Sequence, residues 1–263
     1  MPEGHIIHRL AKELNETLGK RPVHATSPQG RFSAGAEVLN GERLVKADAF
    51  GKYLFCDFGL DQILHIHLGL IGKLRRLHAP IPEPVGVIRL RLEGDDDAWD
   101  LSGPTRCDLI SPDEMESIIS RLGADPLRRN SDLSQTRELL RSSRKPIGAR
   151  VLDQDVIAGI GNVYRAEILF LCGISPLRPS NTIKDDEFDC LWSHTVELMR
   201  IGKRLGRIVT TDPTEIGKPR GRMNDSERLY AYKQEHCRRC GTELVVAKVG
   251  GRSIWYCPTC QPG

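Results

Sequence analysis

The stretch HCRRCGTELVVAKVGGRSIWYCPTCQ, residues 236–261, places two C-x-x-C pairs, Cys237 with Cys240 and Cys257 with Cys260, on either side of sixteen residues. Four thiolates close a tetrahedral shell, and paired cysteines at this spacing match the ribbon type of structural zinc site, holding one Zn2+; a redox dithiol is the competing reading. Between the pairs, Val249-Gly250-Gly251-Arg252 sets a two-glycine turn between runs that can pair as a hairpin, so Arg252 stands beside its tip. A metal at the base would hold that tip rigidly. An arginine so held can enter a groove or grip a phosphate, and it can equally be a solvated surface side chain.

The hairpin closes a basic tail. Residues 200–263 carry 13 Lys and Arg against 6 Asp and Glu, a net +7, while residues 1–199 carry 25 against 29, a net −4. That asymmetry suits a polyanion partner for the C-terminal third, or a merely solvated basic face. A chain of 263 residues has room for two domains, or for one with appendages. No apolar run approaches the ~20 residues that span a bilayer and the N-terminus lacks a signal-peptide pattern, which predicts a cytoplasmic protein without a membrane partner. The other cysteines, Cys56, Cys107, Cys172 and Cys190, are scattered and read as buried thiols of a reducing compartment.

Upstream of the tail, DQDVIAGIGNVYRAEILFLCG (153–173) joins two helical segments by a turn with Gly159, Gly161 and Asn162. Such a turn can aim backbone N–H groups and an amide at a phosphate from a helix N-terminus, or serve as a tight helical hairpin with glycines for packing. Helical periodicity marks 134–142, 146–153, 162–172 and about 185–205. SPDEMESIISRLG (111–123) has a Ser N-cap, Pro at the first helical position, Glu114 placed for a capping box and Gly123 to stop it. Residues 206–228 read as a mobile loop. Before Ser111, GKYLFCDF, QILHIHLGLIGKLRRL and VIRLRLEG alternate apolar and polar residues between Gly, Pro and acidic turns, predicting an antiparallel sandwich or barrel. The chain opens MPEGHIIHRLAKELNETLGK, where Ile7, Leu10, Ala11, Leu14 and Leu18 mark one face of a helix ending near Gly19. In that setting Pro2 reads as the first helical residue, with Glu3 favouring the positive end of the dipole.

MPEG at the start, FGKYLF at 50–55, the GIGN turn and the four-cysteine finger together resemble the formamidopyrimidine-DNA glycosylase and endonuclease VIII family over nearly the whole chain. The resemblance implies an α+β multidomain protein: an N-terminal antiparallel β-sandwich with a flanking helix (1–115), a helix-two-turn-helix domain (125–228) and a C-terminal zinc-ribbon hairpin (229–263), with DNA in the cleft between them. It also implies a monomeric base-excision repair enzyme of the cytoplasm and nucleoid, both glycosylase and AP lyase, acting on damaged DNA. Pro2, freed by removal of Met1, would be the nucleophile and Glu3 the general acid/base. By the same resemblance Lys52 would contact the phosphate beside the lesion and donate a proton in β-elimination. Arg252 would assist δ-elimination, and Asn162 would bind a phosphate. His67 and Tyr232 fall at matching backbone-contact positions, where a packed His and a core Tyr are the alternatives.

Departures bear on the substrate. The PEG opening is similar to the endonuclease VIII branch, which removes oxidised pyrimidines, but His5 and Ile6 stand where the family has Pro-Glu, so a second acidic group is missing. His5 and His8 are read as structural. HLGLIGKLR places Gly69, Leu70 and Ile71 where the family inserts void-filling side chains; Leu70 can wedge, Gly69 cannot, and LSGPTRCDL lacks the Phe offered to the opposite base. Weak filling makes single-stranded or bubble substrates accessible beside duplex. The competing readings are a non-catalytic damaged-DNA-binding or architectural protein on the same fold, and a zinc-ribbon factor for RNA or protein. The first has no need of Pro2, Glu3 and Lys52 together, and the second leaves the N-terminal motif unexplained.

Overall fold

The computed structural model describes residues 2–129 and 131–263; Met1, on which the expected N-terminal processing falls, lies outside them. The chain forms two compact units, one ending at Arg121 and one running from Leu122 to Gly263.

The first unit is a sandwich of two antiparallel four-stranded sheets. Its elements are α1 (Gly4–Thr17), β1 (His24–Thr26), α2 (Ser33–Leu39), β2 (Lys46–Phe50), β3 (Tyr53–Asp57), β4 (Ile63–His67), β5 (Lys73–His78), β6 (Ile88–Glu93), β7 (Asp97–Ser102), β8 (Arg106–Ile110) and α3 (Pro112–Ile119). The strand orders are β2-β3-β4-β8 and β1-β6-β7-β5. Alternation sends Leu54 and Cys56 of β3, Leu64 and Ile66 of β4, Leu90 and Leu92 of β6, and Trp99 and Leu101 of β7 into one shared core. Phe55 points the other way, into a smaller cluster with Ile63 and Ile110 that Met115, Ile118 and Ile119 of α3 cover. The apolar run expected to continue through 62–77 breaks at Gly69, whose φ of 68° is left-handed, so β4 joins one sheet and β5 the other. A Cβ at Gly69 would lie 1.9 Å from the Thr105 hydroxyl, and only glycine fits there.

Helix α1 packs along β2 and β3. Asn15 fixes it: its amide donates to Ala47 O (2.7 Å) and to Ala11 O (2.8 Å), and its Oδ1 accepts from Ala47 N–H (2.8 Å). These bonds occupy outward-facing backbone groups of the edge strand β2. Trp99 Nε1 donates to Thr17 Oγ1 at 3.0 Å, joining the helix end to β7. The capping box of Ser111 and Glu114 forms around α3 as the sequence predicts, but the helix ends at Ile119, before Gly123.

The second unit contains α4 (Leu133–Arg141), α5 (Ile147–Arg150), α6 (Asn162–Leu171), α7 (Asp185–Leu205), α8 (Pro213–Ile216), a 3-10 turn at Arg220–Arg222, and the hairpin β9 (Val245–Val249) and β10 (Arg252–Tyr256). The segment expected as a loop, 206–228, carries α8 and the 3-10 turn, and Arg207 binds it across by donating to Met223 O at 2.7 Å. Cys172 and Cys190, expected as separate buried thiols, are half-buried and form a disulfide between the end of α6 and α7. Cys56 and Cys107 are buried as predicted, and burial pushes both thiols up to about 12.

Asn15→Ala is expected to cost about 1–2 kcal/mol, because it removes both hydrogen bonds that tie α1 to the backbone of Ala47. Urea unfolding should show a lower midpoint at unchanged slope; an unchanged midpoint would remove Asn15 from its role as the pin.

Candidate active site and nucleic-acid interface

Helix α1 starts at Gly4, with Glu3 as an extended N-cap, φ −119° and ψ 174°. The expectation that Pro2 begins the helix is therefore corrected: Pro2 lies outside it, and the Ile6 N–H donates to Glu3 O. Nor does Glu3 serve the helix in the usual way, since its side chain makes no capping bond although the residue is 0% exposed. A carboxylate is costly to bury, and this one is buried beside the chain terminus for a reason other than capping.

Lys52 is in the two-residue turn between β2 and β3, where Gly51 takes φ 56° at the first central position, the geometry of a type II′ hairpin. The strands that carry this turn are the ones α1 packs on, so Glu3 and Lys52 belong to elements packed together. His67, at the end of β4, pairs with Tyr53 and Arg106 and stacks on the Tyr53 ring at 4.9 Å. Burial, then the positive charges of Lys52 and Arg106, lower its pKa. This end of the sheet is thus cationic around a histidine held towards its neutral form. His5 and His8 are buried on α1 as read from sequence, and burial followed by the chain's amino terminus lowers His5 to about 3. Leu70 is 64% exposed, and Ile71, placed with it at the void-filling positions by the sequence reading, is 79% exposed.

In the second unit Asn162 is the first residue of α6, with Gly161 as N-cap. The GIGN turn is braced by Gln154, which accepts from Gly159 N–H (3.0 Å) and donates to Leu152 O (2.8 Å) and Ile160 O (3.1 Å). Asn162 is buried and partly committed: Nδ2 donates to Ser253 O at 2.9 Å, and Oδ1 accepts from Arg165. Its second amide hydrogen takes no part in these two bonds.

Sequence reasoning missed Arg165 and Glu167. Arg165, 0% exposed, donates to Gly148 O (3.0 Å), Val249 O (2.8 Å), Ser253 O (3.1 Å) and Arg252 O (3.4 Å) besides Asn162. Glu167, equally buried, accepts from the N–H groups of Tyr230 (2.8 Å), Ala231 (2.9 Å) and Tyr232 (2.8 Å) and from the Thr210 hydroxyl. The available signal was two charged residues on a helix buried on nearly every side. These bonds fix the carbonyl of Arg252, whose side chain is exposed, and the backbone of Tyr232, whose ring meets Trp255 edge-on at 5.1 Å. Gly250 and Gly251 both take positive φ, 61° and 72°, as a type I′ turn requires.

The four finger cysteines converge as predicted, with every Sγ within 4.8 Å of the others. Cys237 and Cys260 are 3.8 Å apart, Cys240 and Cys257 3.5 Å. Tetrahedral Zn–S bonds of about 2.3 Å require sulfurs roughly 3.8 Å apart, so the shell fits one zinc. The Cys260 N–H donates to Cys257 Sγ, and Gln261 anchors the second knuckle by accepting from Cys257 N–H (2.9 Å) and donating to Ile174 O (2.8 Å).

Three family models match: the formamidopyrimidine-DNA glycosylase N-terminal domain over residues 1–105, the formamidopyrimidine-DNA glycosylase H2TH domain over 122–214, and the zinc finger found in FPG and IleRS over 234–263. The chain belongs to the formamidopyrimidine-DNA glycosylase and endonuclease VIII family. It is 42% identical over 267 residues to endonuclease 8 1 of Mycobacterium tuberculosis, covering 99% of this chain and 100% of that one, which sets it with the endonuclease VIII branch. It is 31% identical over 223 residues to formamidopyrimidine-DNA glycosylase of a Synechococcus species, covering 81% and 79%. The structure of the Lactococcus lactis enzyme with N7-benzyl-Fapy-dG DNA superposes with a TM-score of 0.83 at 26% identity over all of both chains. Its complex with abasic-site DNA gives 0.81 at 25%, over 99% and 100%. Among the described residues no helix is long and apolar enough to cross a membrane.

Cys237→Ser is expected to remove about one metal equivalent and weaken DNA binding while the first unit stays folded, since the zinc organises only the finger. Metal analysis beside circular dichroism of the variant checks this; full metal content in Cys237→Ser would refute the four-cysteine site.

Proposed function

We propose that the protein is a bifunctional DNA glycosylase and AP lyase of base excision repair, acting on damaged DNA as a monomer and favouring oxidised pyrimidines, with Pro2 as nucleophile. The observation that carries this reading is the N-terminus itself: a proline outside the helix, followed by a buried carboxylate that does not cap it. A purely architectural protein has no use for that arrangement.

Removal of Met1 would make Pro2 a secondary amine with a pKa near ~8, against ~10.4 for lysine, so about a tenth is unprotonated at pH 7. Its lone pair attacks C1′ of the damaged nucleotide; the N–C1′ bond forms, the bond from C1′ to the base breaks, and the base leaves with a proton. Glu3 supplies the proton that opens the sugar ring at O4′. The resulting iminium nitrogen carries no hydrogen, so its charge persists and acidifies C2′. Loss of the C2′ proton expels the 3′ phosphate, and a second elimination expels the 5′ phosphate. In this scheme Lys52 holds the phosphate beside the lesion and delivers protons, His67 contacts the backbone from the same sheet end, and Arg252, Asn162 and Tyr232 hold flanking phosphates. Leu70, joined by Ile71, fills the space left by the extruded nucleotide. With glycine enforced at position 69 the wedge is short, which suits single-stranded and bubble substrates as well as duplex.

Borohydride should trap a covalent adduct at Pro2 on an abasic or 5-hydroxyuracil oligonucleotide. Pro2→Gly should trap poorly, and a chain retaining Met1 should not trap through Pro2; normal trapping in both would sink the nucleophile assignment. Arg252→Ala should weaken binding to damaged and undamaged DNA alike and flatten its salt dependence by about one phosphate's worth of slope. Glu3→Gln should keep binding but lose base excision by ~10²-fold or more, with strand cleavage at a ready-made abasic site suffering less. If Glu3→Gln loses binding and Arg252→Ala changes nothing, chemistry and grip are assigned to the wrong residues.

A further inference from the structure

Within the second unit, the C-cap of α6, Cys172, is bonded to Cys190 of α7, and His194 follows Cys190 by one helical turn. The two sulfurs and one imidazole nitrogen all lie within 4.8 Å of one another, and all three residues are half-buried. Residues four apart share a face of a helix, so Cys190 and His194 point to the same side of α7, and the left-handed Gly173 (φ 65°) turns the chain directly after Cys172. A disulfide needs two cysteines. It has no use for an imidazole nitrogen within 4.8 Å of both sulfurs, whereas a metal centre does.

We propose that Cys172, Cys190 and His194 form a second metal site, closed as a disulfide and open, after two-electron reduction, to one thiophilic divalent cation of the zinc class. A cellular dithiol is the reductant: it delivers two electrons and two protons to the S–S bond, which breaks to two thiols as the dithiol becomes a disulfide. Binding then releases the two thiol protons, forms two metal–sulfur bonds and one metal–nitrogen bond, and leaves the fourth position to water. The sulfurs must part to about 3.8 Å for this, which side-chain rotation at a half-buried helix end can supply. The site is connected to the finger, because Gly173 lies against the Cys260 carbonyl and Ile174 O accepts from Gln261 Nε2 at 2.8 Å. It rests on none of the residues assigned to base removal.

The test uses the full chain with its finger zinc in place. Oxidised protein should hold one zinc equivalent. After treatment with a water-soluble phosphine, which takes up the oxygen of water as the disulfide becomes two thiols, equilibration with zinc should raise this to two. His194→Ala, which leaves the disulfide intact, should stay at one in both states. Cys237→Ser should rise from about zero to one on reduction. Cobalt should report the same site by visible absorption that grows only on reduction and is missing in His194→Ala. One equivalent in the reduced native protein, two in reduced His194→Ala at unchanged affinity, or a disulfide that resists the phosphine in folded protein would each overturn the proposal.

Discussion

A guanidinium with no exposed surface has to find all its partners inside the protein, and Arg165 imposes that condition on the second unit. Its acceptors include the carbonyls of Gly148, Val249, Arg252 and Ser253 and the side chain of Asn162. They come from α5, from the start of α6 and from both strands of the finger hairpin. Taking any one of these away leaves a buried charge short of a partner, at a cost of about 1.5–3 kcal/mol for a well-formed bond. The hairpin tip therefore cannot drift from the helix N-terminus. Zinc at the other end of the hairpin and Arg165 at its tip restrain it from both sides, so the exposed Arg252 side chain projects from a fixed base.

Glu167, two residues on, does the same for the chain entering the finger. Four donors converge on its carboxylate, three of them successive backbone N–H groups at Tyr230, Ala231 and Tyr232. The same helix thus carries a buried cation facing carbonyls and a buried anion facing N–H groups, each matched to the dipole it meets. In the first unit the C-terminal half of α1 is fixed by neutral groups. Asn15 completes the bare edge of β2 and Trp99 takes the hydroxyl of Thr17, so α1 is set on the sandwich at its C-terminal half without a buried charge.

Much of this was legible where a local pattern has a single physical meaning. Four cysteines in two pairs, a two-glycine turn and the Ser111–Glu114 box each follow from chemistry within a few residues. Strands could be placed but not assigned to sheets: β4 and β5 read as one run because their division depends on Thr105, which meets Gly69 only in the folded chain. The Cys172–Cys190 bond was hidden for the same reason, since nothing in a separation of 18 residues brings the two together until α6 and α7 pack. Pro2 was misplaced by one good rule. Proline favours the first helical position, yet Glu3 occupies the cap and the helix begins after it. Arg165 and Glu167 look like ordinary helix residues in one dimension, and their burial is a tertiary fact.

The electrostatics of the first unit bear on what its sheet end can hold. His67 sits where Lys52 and Arg106 already place two positive charges, and its pKa falls through burial and through those two neighbours. A third cation is thereby resisted, which leaves an imidazole able to donate from one nitrogen and accept at the other. Crowded cations around a neutral hydrogen-bonding group make a poor self-contained surface and favour an anionic ligand, which is the setting that the proposed docking of a phosphodiester at this edge calls for.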